Sequence, residues 1–264
     1  MAVKTDIVGL LIYVAIVAHL AAAAALALRR DRFGWSAYGA GFALAATAFV
    51  ARWVRVQHVP LQSLFEVFLC LGMVMGPVSL LCRRLLGVGG EAADCVIASV
   101  VLFAAGFVFE SRPQPLPSIL QSGLFLPHVA AYMAAYMILA KAGVQAFKAL
   151  GVGGRSQPAA VVAPEVGAYR VVNLGFPLLT LGLVLGALWG KRAWGDWWNW
   201  DPKELWSLAT WLIYAGYLHF RRAFGRRYPR VGPALVLAGA AGIVITLLWV
   251  NLAGTFAGLH SYAK

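Results

Sequence analysis

Apolar residues occur along the chain in eight long runs separated by polar connections. A bilayer core of about 30 Å is crossed by roughly 20 mostly apolar helical residues, and each run comes close to that length. The runs cover residues 7–28, 36–54, 63–82, 92–109, 127–149, 169–190, 203–222 and 232–254. The fourth run is the shortest and carries Asp94 near its start. The pattern predicts an all-α fold, a polytopic membrane bundle of about eight transmembrane helices.

Composition supports the same fold class. Of the 264 residues, 61% are hydrophobic and only 12% are charged, whereas a soluble domain is nearer half apolar and a quarter charged. This excludes a soluble enzyme and a disordered chain. The 3 cysteines include no CxxC pair, which argues against a disulfide framework or a zinc ribbon.

The charged residues predict how the helices are oriented. Connections after the odd-numbered runs, counted with Lys141, hold 14 basic and 4 acidic residues, whereas the opposite side holds 8 basic and 6 acidic residues. Because Lys and Arg are retained on the cytoplasmic side, both termini are expected outside. The net charge of +12 is then mostly a topology signal, and nucleic acid is not an expected partner. With no internal repeat, residues 1–264 are predicted to form a single integral-membrane domain.

Tryptophan is concentrated in one outer connection. Seven of the ten tryptophans lie between Trp189 and Trp211, and we call residues 189–206 the Trp-rich segment. An aromatic belt at the membrane interface is the alternative interpretation, but five tryptophans within twelve residues exceed what anchoring needs. A helical turn would place Trp194, Trp197 and Trp198 on one face. Such a shelf, with Trp200 beside it, suits a large planar apolar ligand such as a porphyrin.

The residues after the shelf predict the start of a helix. Asp201 is a preferred N-cap, Pro202 suits the first helical position, and Glu204 at the third completes a capping box. We therefore expect Asp201 and Glu204 to hold the shelf to the seventh helix, rather than to perform chemistry directly.

Two histidines are predicted on the same side of the membrane as the shelf. His128 lies at the outer entry of the fifth helix, and His260 follows the eighth helix. A lone histidine in a membrane helix is more often a buried or interface residue, but two imidazoles facing each other across a porphyrin would give six-coordinate iron. The pair beside the shelf favours the ligand interpretation.

The other histidines are predicted elsewhere. His219 lies 16 residues beyond Lys203, about 24 Å along a helix, and therefore near the cytoplasmic face. His219 could be an axial ligand of a second, inner heme. The ligand on the opposite face would then be His19, which lies at a comparable depth, or a histidine of a partner protein. A polar interface role is the alternative for His219 and the favoured one for His19. His58, two residues before Pro60, is expected at the outer interface.

The Trp-rich sequence resembles a known family. WGDWWNWDPKELWSLATWLIYAGYLHFR, residues 194–221, is similar to the WWD signature of heme-handling proteins, and more specifically to the CcsA (ResC) subunits of system II cytochrome c maturation. QHVPLQSLFEVF at 57–68, LPHV at 126–129 and GLHSY at 258–262 extend the resemblance. Residues 63–66 depart from the family's Asn-Leu-Tyr-Glu, so the resemblance does not carry a specific role over to Glu66.

The resemblance implies a function and partners. His128 and His260 match the external heme ligands, and His219 matches an inner one. Heme b is implied as cargo, carried across the membrane and presented to an apocytochrome c with a CxxCH motif for thioether attachment. A CcsB (ResB)-like membrane subunit is implied as partner, making this chain a subunit of a cytochrome c synthase complex in the plasma membrane or a thylakoid equivalent. The expected partners are therefore heme, the apocytochrome c, this membrane subunit and membrane lipid.

Two related functions remain open from the sequence. One is a HemX-like accessory protein of tetrapyrrole metabolism. The other is a CcmC-like heme-delivery subunit of system I, which also carries a Trp-rich loop but has fewer helices.

Overall fold

Helices are the only regular secondary structure among the residues that the structure describes. The computed structural model describes residues 3–151, 162–225 and 227–252, and within these ranges no β-strand forms. The helices are α1 (Ile7–Ala27), α2 (Asp31–Val56), α3 (Leu64–Leu86), α4 (Glu91–Phe103), α5 (Phe125–Ala149), α6 (Pro164–Trp194), α7 (Pro202–Phe224) and α8 (Val231–Val244). A π turn, Ala104–Val108, continues α4, and a second π turn, Ile245–Trp249, continues α8 into Val250–Leu252. Ser118–Leu120 forms a short 3-10 helix.

Seven of these helices are long and apolar enough to cross a membrane. Among the described residues they are α1, α2, α3, α4 with its π turn, α5, α6 and α8 with its continuation. The remaining predicted run, the seventh, also forms a helix, α7, but does not reach the same hydropathy because it carries His219 and the Arg221–Arg222 pair as well as several Trp and Tyr residues. The all-α polytopic membrane bundle predicted from the sequence is therefore confirmed.

Two helices extend well beyond their apolar runs. α2 begins at Asp31 instead of residue 36, and α6 covers Pro164–Trp194 instead of 169–190. Pro164 occupies the first turn of α6, where its missing N–H costs no hydrogen bond. The apolar run marks the part of a helix inside the bilayer, whereas the helix itself continues until a cap ends it.

The chain folds as two compact units. Unit 1 contains residues 1–80 and 90–121, and unit 2 contains residues 81–89 and 122–264. In unit 1, α1 packs against α2 and α4; in unit 2, α5 packs against α6 and α8, and α7 packs against α8 and α6. Whether residues 1–264 act as a single domain stays a prediction.

A buried ion pair joins three parts of unit 1. Glu66 accepts hydrogen bonds from Arg52 Nε at 2.9 Å and Arg52 Nη2 at 2.8 Å, and each side chain is only 2% exposed. Arg52 Nη1 also donates to the backbone oxygen of Ser111 at 2.7 Å. The pair therefore connects α2, the start of α3 and the segment after α4.

Glu66 also caps α3. Its Oε2 accepts from the backbone N–H groups of Gln62 at 2.9 Å and Ser63 at 3.3 Å, and the Ser63 hydroxyl accepts from the N–H of Glu66 at 3.4 Å. This reciprocal arrangement is a capping box, which satisfies N–H groups that a helix start leaves without partners. The structure thus gives Glu66 a clear structural role.

Candidate functional site

His128 lies in the first turn of α5, half-buried against α6. Its Nδ1 is 2.8 Å from the backbone oxygen of Gly182. Because a carbonyl oxygen only accepts, Nδ1 carries the proton and Nε2 is the ring nitrogen with the lone pair. Histidines that bind metals usually donate their other N–H in this way, which fixes the tautomer and the ring orientation.

Aromatic rings surround the His128 imidazole. Trp189 lies nearly parallel to it, with ring centroids 6.1 Å apart and an interplanar angle of 14°. Tyr132, one turn further along α5, makes an edge contact at 5.1 Å. Trp189 is 1% exposed and also contacts the edge of Trp194 at 4.8 Å. Trp189 therefore links His128 to Trp194, the last residue of α6.

The Trp-rich segment is not helical through its centre. α6 ends at Trp194, and Gly195 follows in the left-handed conformation with φ of 90°. Residues 195–201 form no regular structure. The expectation that a helical turn places Trp194, Trp197 and Trp198 on one face is therefore wrong, because a left-handed glycine after a helix ends it.

Three indoles of this segment are exposed, Trp197, Trp200 and Trp206, and the first two lie in its irregular part. Trp197 is 55% exposed and Trp200 is 68% exposed. Trp198 is half-buried and packs edge-on against Trp200, with centroids 6.1 Å apart. Trp200 has φ of 56°, a conformation that is unusual for a bulky residue and is often found at functional sites. The segment thus presents broad aromatic surfaces without burying them.

The link to α7 forms as the sequence predicts. Asp201 accepts from the N–H of Lys203 at 2.8 Å, and the Glu204 carboxylate accepts from the N–H of Asp201 at 3.2 Å. Glu204 also accepts from the N–H of Asn199 at 2.8 Å. The predicted capping box is confirmed. The two carboxylates hold the irregular part of the Trp-rich segment onto the first turn of α7.

His219 lies on an exposed face of α7. Its Nδ1 is 2.8 Å from the backbone oxygen of Ala215, so Nε2 is again the lone-pair nitrogen. Glu165 at the start of α6 pairs with Arg221, two residues further along α7. The exposed imidazole therefore lies beside a basic helix end.

His19 is fully buried between helices of unit 1. Its Nδ1 is 2.8 Å from the backbone oxygen of Ala15, and its Nε2 has no hydrogen-bond partner. The ring makes an edge contact with Tyr38 at 5.6 Å and lies directly against Gly41. His58, by contrast, is half-buried and bonds locally to Val59 at 3.1 Å.

The second predicted outer ligand, His260, lies outside the described residues. Among the residues that are described, His, Cys, Asp and Glu side chains form no group of three that could hold a bare metal ion. A porphyrin itself provides four ligands to the iron, so the protein has to provide only the axial ligands. A single well-oriented imidazole such as His128 is suited to that role.

Three residues of the site were not predicted from the sequence: Trp189 and the two α6 glycines, Gly182 and Gly186. Trp189 was counted only as a member of the Trp-rich segment. The spacing of Gly182, Gly186 and Trp189 by four and three residues puts them on one helix face, and that spacing was the available signal. The spacing does not show which other helix this face packs against.

Comparison with known proteins agrees with this fold. The sequence model of the cytochrome C assembly protein family matches residues 61–257. The CcsA cytochrome c biogenesis protein of Synechococcus elongatus is 32% identical over 84% of this chain and 86% of its own length. CcsA of Prochlorococcus marinus strain MIT 9303 is 34% identical over 81% of this chain and 78% of its own. CcsA of Chlamydomonas reinhardtii is 33% identical over 81% and 63%.

A solved structure shares the fold. The cytochrome c heme lyase CcmF aligns with a TM-score of 0.69 at 19% identity, covering 94% of this chain and 48% of that chain. The helices and the matches together define a multi-pass membrane protein. The chain belongs to the cytochrome C assembly protein family, and the relatives named above are CcsA proteins. The resemblance stated from the sequence is thereby confirmed.

Proposed function

We propose that this chain handles heme for c-type cytochrome biogenesis. It carries heme b, its cargo, across the membrane and presents it to an apocytochrome c for thioether attachment. The orientation of His128 is the observation that carries the proposal. Its Nδ1–H donates to a backbone oxygen at 2.8 Å, which leaves Nε2 as the metal-binding nitrogen, and the ring is only half-buried.

The outer heme site combines two axial histidines with the Trp-rich segment. His128 provides one axial ligand and His260 the other, while Trp194, Trp197, Trp198 and Trp200 contact the porphyrin faces. The exposure of Trp197 and Trp200 supports this role, because a flat apolar ring would bury these indoles. Asp201 acts indirectly, by holding the segment to α7. The charge asymmetry supports an outer position for the segment.

Attachment then depends on orientation. The protein holds the heme vinyl groups toward a reduced CxxCH peptide, whose two thiols add to them, and contributes position rather than a nucleophile of its own. A CcsB-like membrane subunit is the proposed partner. The CcsA relatives favour this function over a HemX-like or a CcmC-like one.

His219 is proposed as a ligand of an inner heme. Ionisable side chains in membrane helices rarely face lipid and usually mark a functional contact, yet His219 is exposed on α7. His19 is 0% exposed and lies against Gly41, which leaves no room for a porphyrin on that face of its ring. We therefore favour a histidine of the partner subunit over His19 as the opposite ligand.

The test is the absorption spectrum of the purified chain with its partner subunit. His128→Ala and His260→Ala should each abolish the low-spin, bis-histidine heme spectrum and the assembly of c-type cytochromes. Leu126→Ala is the matched control, since Leu126 lies in the same first turn of α5 and is 41% exposed. A His128→Ala protein that keeps both the spectrum and cytochrome assembly would refute the proposal.

A further inference from the structure

We infer that Gly186 and Trp189 are positioning residues, which fix the rotation of the His128 ring so that its Nε2 is presented to heme iron. The inference rests on the proposed function, because it takes His128 as an axial ligand. Three contacts with one face of α6 support it: one with the ring's Nδ1, one with its edge and one with its plane.

The first contact holds the ring at one atom only. The Nδ1–H of His128 donates to the oxygen of Gly182 at 2.8 Å. A Cβ at Gly182 would lie 3.0–3.2 Å from the ring of Tyr132, so this glycine allows α5 and α6 to approach closely enough for the bond. This hydrogen bond fixes the position of Nδ1 and does not by itself set the tilt of the ring.

The second contact is the close approach of the ring edge to the α6 backbone at Gly186. Gly186 is one turn beyond Gly182, and a Cβ built there would lie 2.6 Å from Cε1 and 3.0 Å from Nδ1 of His128. Real Cβ atoms essentially never come closer than 3.0 Å. Cε1 is bonded to both ring nitrogens, so any atom that pushes Cε1 also moves Nε2. A side chain at this position would therefore displace the nitrogen that binds iron.

The third contact fixes the plane of the ring. Trp189 lies parallel to the imidazole within 14° and is almost completely buried. Phe125 at 6.0 Å and Trp194 at 4.8 Å hold the indole in turn. Since Trp194 is the last residue of α6, the plane of the iron ligand is coupled to the start of the irregular part of the Trp-rich segment.

A general packing role for the glycines is the rival explanation, and α6 offers a matched control. Gly175 also faces α5, and a Cβ there would lie 2.9 Å from Leu139 and 3.0 Å from Ile138. Gly175→Ala therefore crowds the same helix pair without touching His128. If only packing matters, the two alanine variants should behave alike.

The experiment compares heme spectra and heme affinity of the full chain, purified with its partner subunit. Gly186→Ala should convert low-spin to high-spin heme and weaken heme binding about 10-fold to 100-fold, the range for loss of a residue that orients a metal ligand. Added imidazole should restore the low-spin spectrum. Gly175→Ala should keep the wild-type spectrum, whatever its effect on thermal unfolding.

A second variant covers the case in which Gly186→Ala does not fold. Trp189→Leu removes the parallel ring without adding bulk and should also lower the low-spin fraction. Wild-type spectra and affinities for the folded variants, or equal losses in Gly186→Ala and Gly175→Ala, would overturn the inference. The proposed function would survive that result as long as His128→Ala still loses the bis-histidine spectrum.

Discussion

Replacing Glu66 with alanine tests the buried ion pair of unit 1. Both Glu66 and Arg52 are only 2% exposed, and the carboxylate accepts from the guanidinium at 2.8 and 2.9 Å. Removing one partner of a buried pair costs about 3–5 kcal/mol, because a charge is left without compensation. The buried N–H of Gln62 also loses its acceptor, which costs about 1–3 kcal/mol.

These two costs overlap, so we expect Glu66→Ala to lower the free energy of unfolding by about 4–6 kcal/mol. Domains are stable by about 5–15 kcal/mol, so the variant should be close to unfolding. The assay is SDS titration of the protein in mixed detergent micelles, followed by tryptophan fluorescence. Part of the loss should be recovered by Arg52→Met/Glu66→Leu, since an apolar pair of similar volume often replaces a buried ion pair without penalty.

An exposed pair in the same unit provides the control. Arg55 pairs with Asp6, with side chains 47% and 34% exposed, and such surface pairs contribute about 0–1 kcal/mol. Arg55→Ala should therefore have a small effect. If Glu66→Ala destabilises the protein no more than Arg55→Ala, or if the apolar double variant is no better than Glu66→Ala, the reasoning is refuted.

Three further predictions concern unit 2. Asp201→Ala should lower the free energy of unfolding by about 1 kcal/mol through loss of the helix cap, whereas Asp201→Asn should keep it because Asn caps equally well; equal losses would contradict the cap. Trp211 Nε1 donates to Thr180 Oγ1 at 2.9 Å, so Trp211→Phe and Thr180→Val should each cost about 1 kcal/mol, and fully additive losses in the double variant would argue against the bond. His219→Ala should lower heme content without lowering the free energy of unfolding, because the side chain is exposed; unchanged heme loading would remove it from the pathway.

Local sequence determined the helices and two of their caps. Apolar runs locate helices in a membrane protein because lipid offers the backbone no hydrogen-bond partners, so each spanning segment must satisfy its own. The Asp201–Glu204 capping box follows from residue types three positions apart and formed as predicted. Ser63 and Glu66 carry the same pattern, and the sequence could have predicted that cap as well.

Part of the conformation of the Trp-rich segment could also have been predicted from the sequence. Gly195 directly after Trp194 is a typical helix-ending residue, so the break before Trp197 could have been predicted. The left-handed backbone of Trp200 could not, because tryptophan has no preference for that region and only the surrounding structure holds it there.

The sequence by itself thus located the helices, predicted the Asp201–Glu204 cap and identified which side chains are candidates for heme. Only the tertiary structure decided that α6 lies beside α5 closely enough for Gly182 to accept from His128, and that Trp189 lies parallel to that ring. The same holds for Arg52, whose partner lies on another helix. Periodicity records which residues share a face of their own helix, whereas the partner of that face is chosen by packing between segments far apart in the chain.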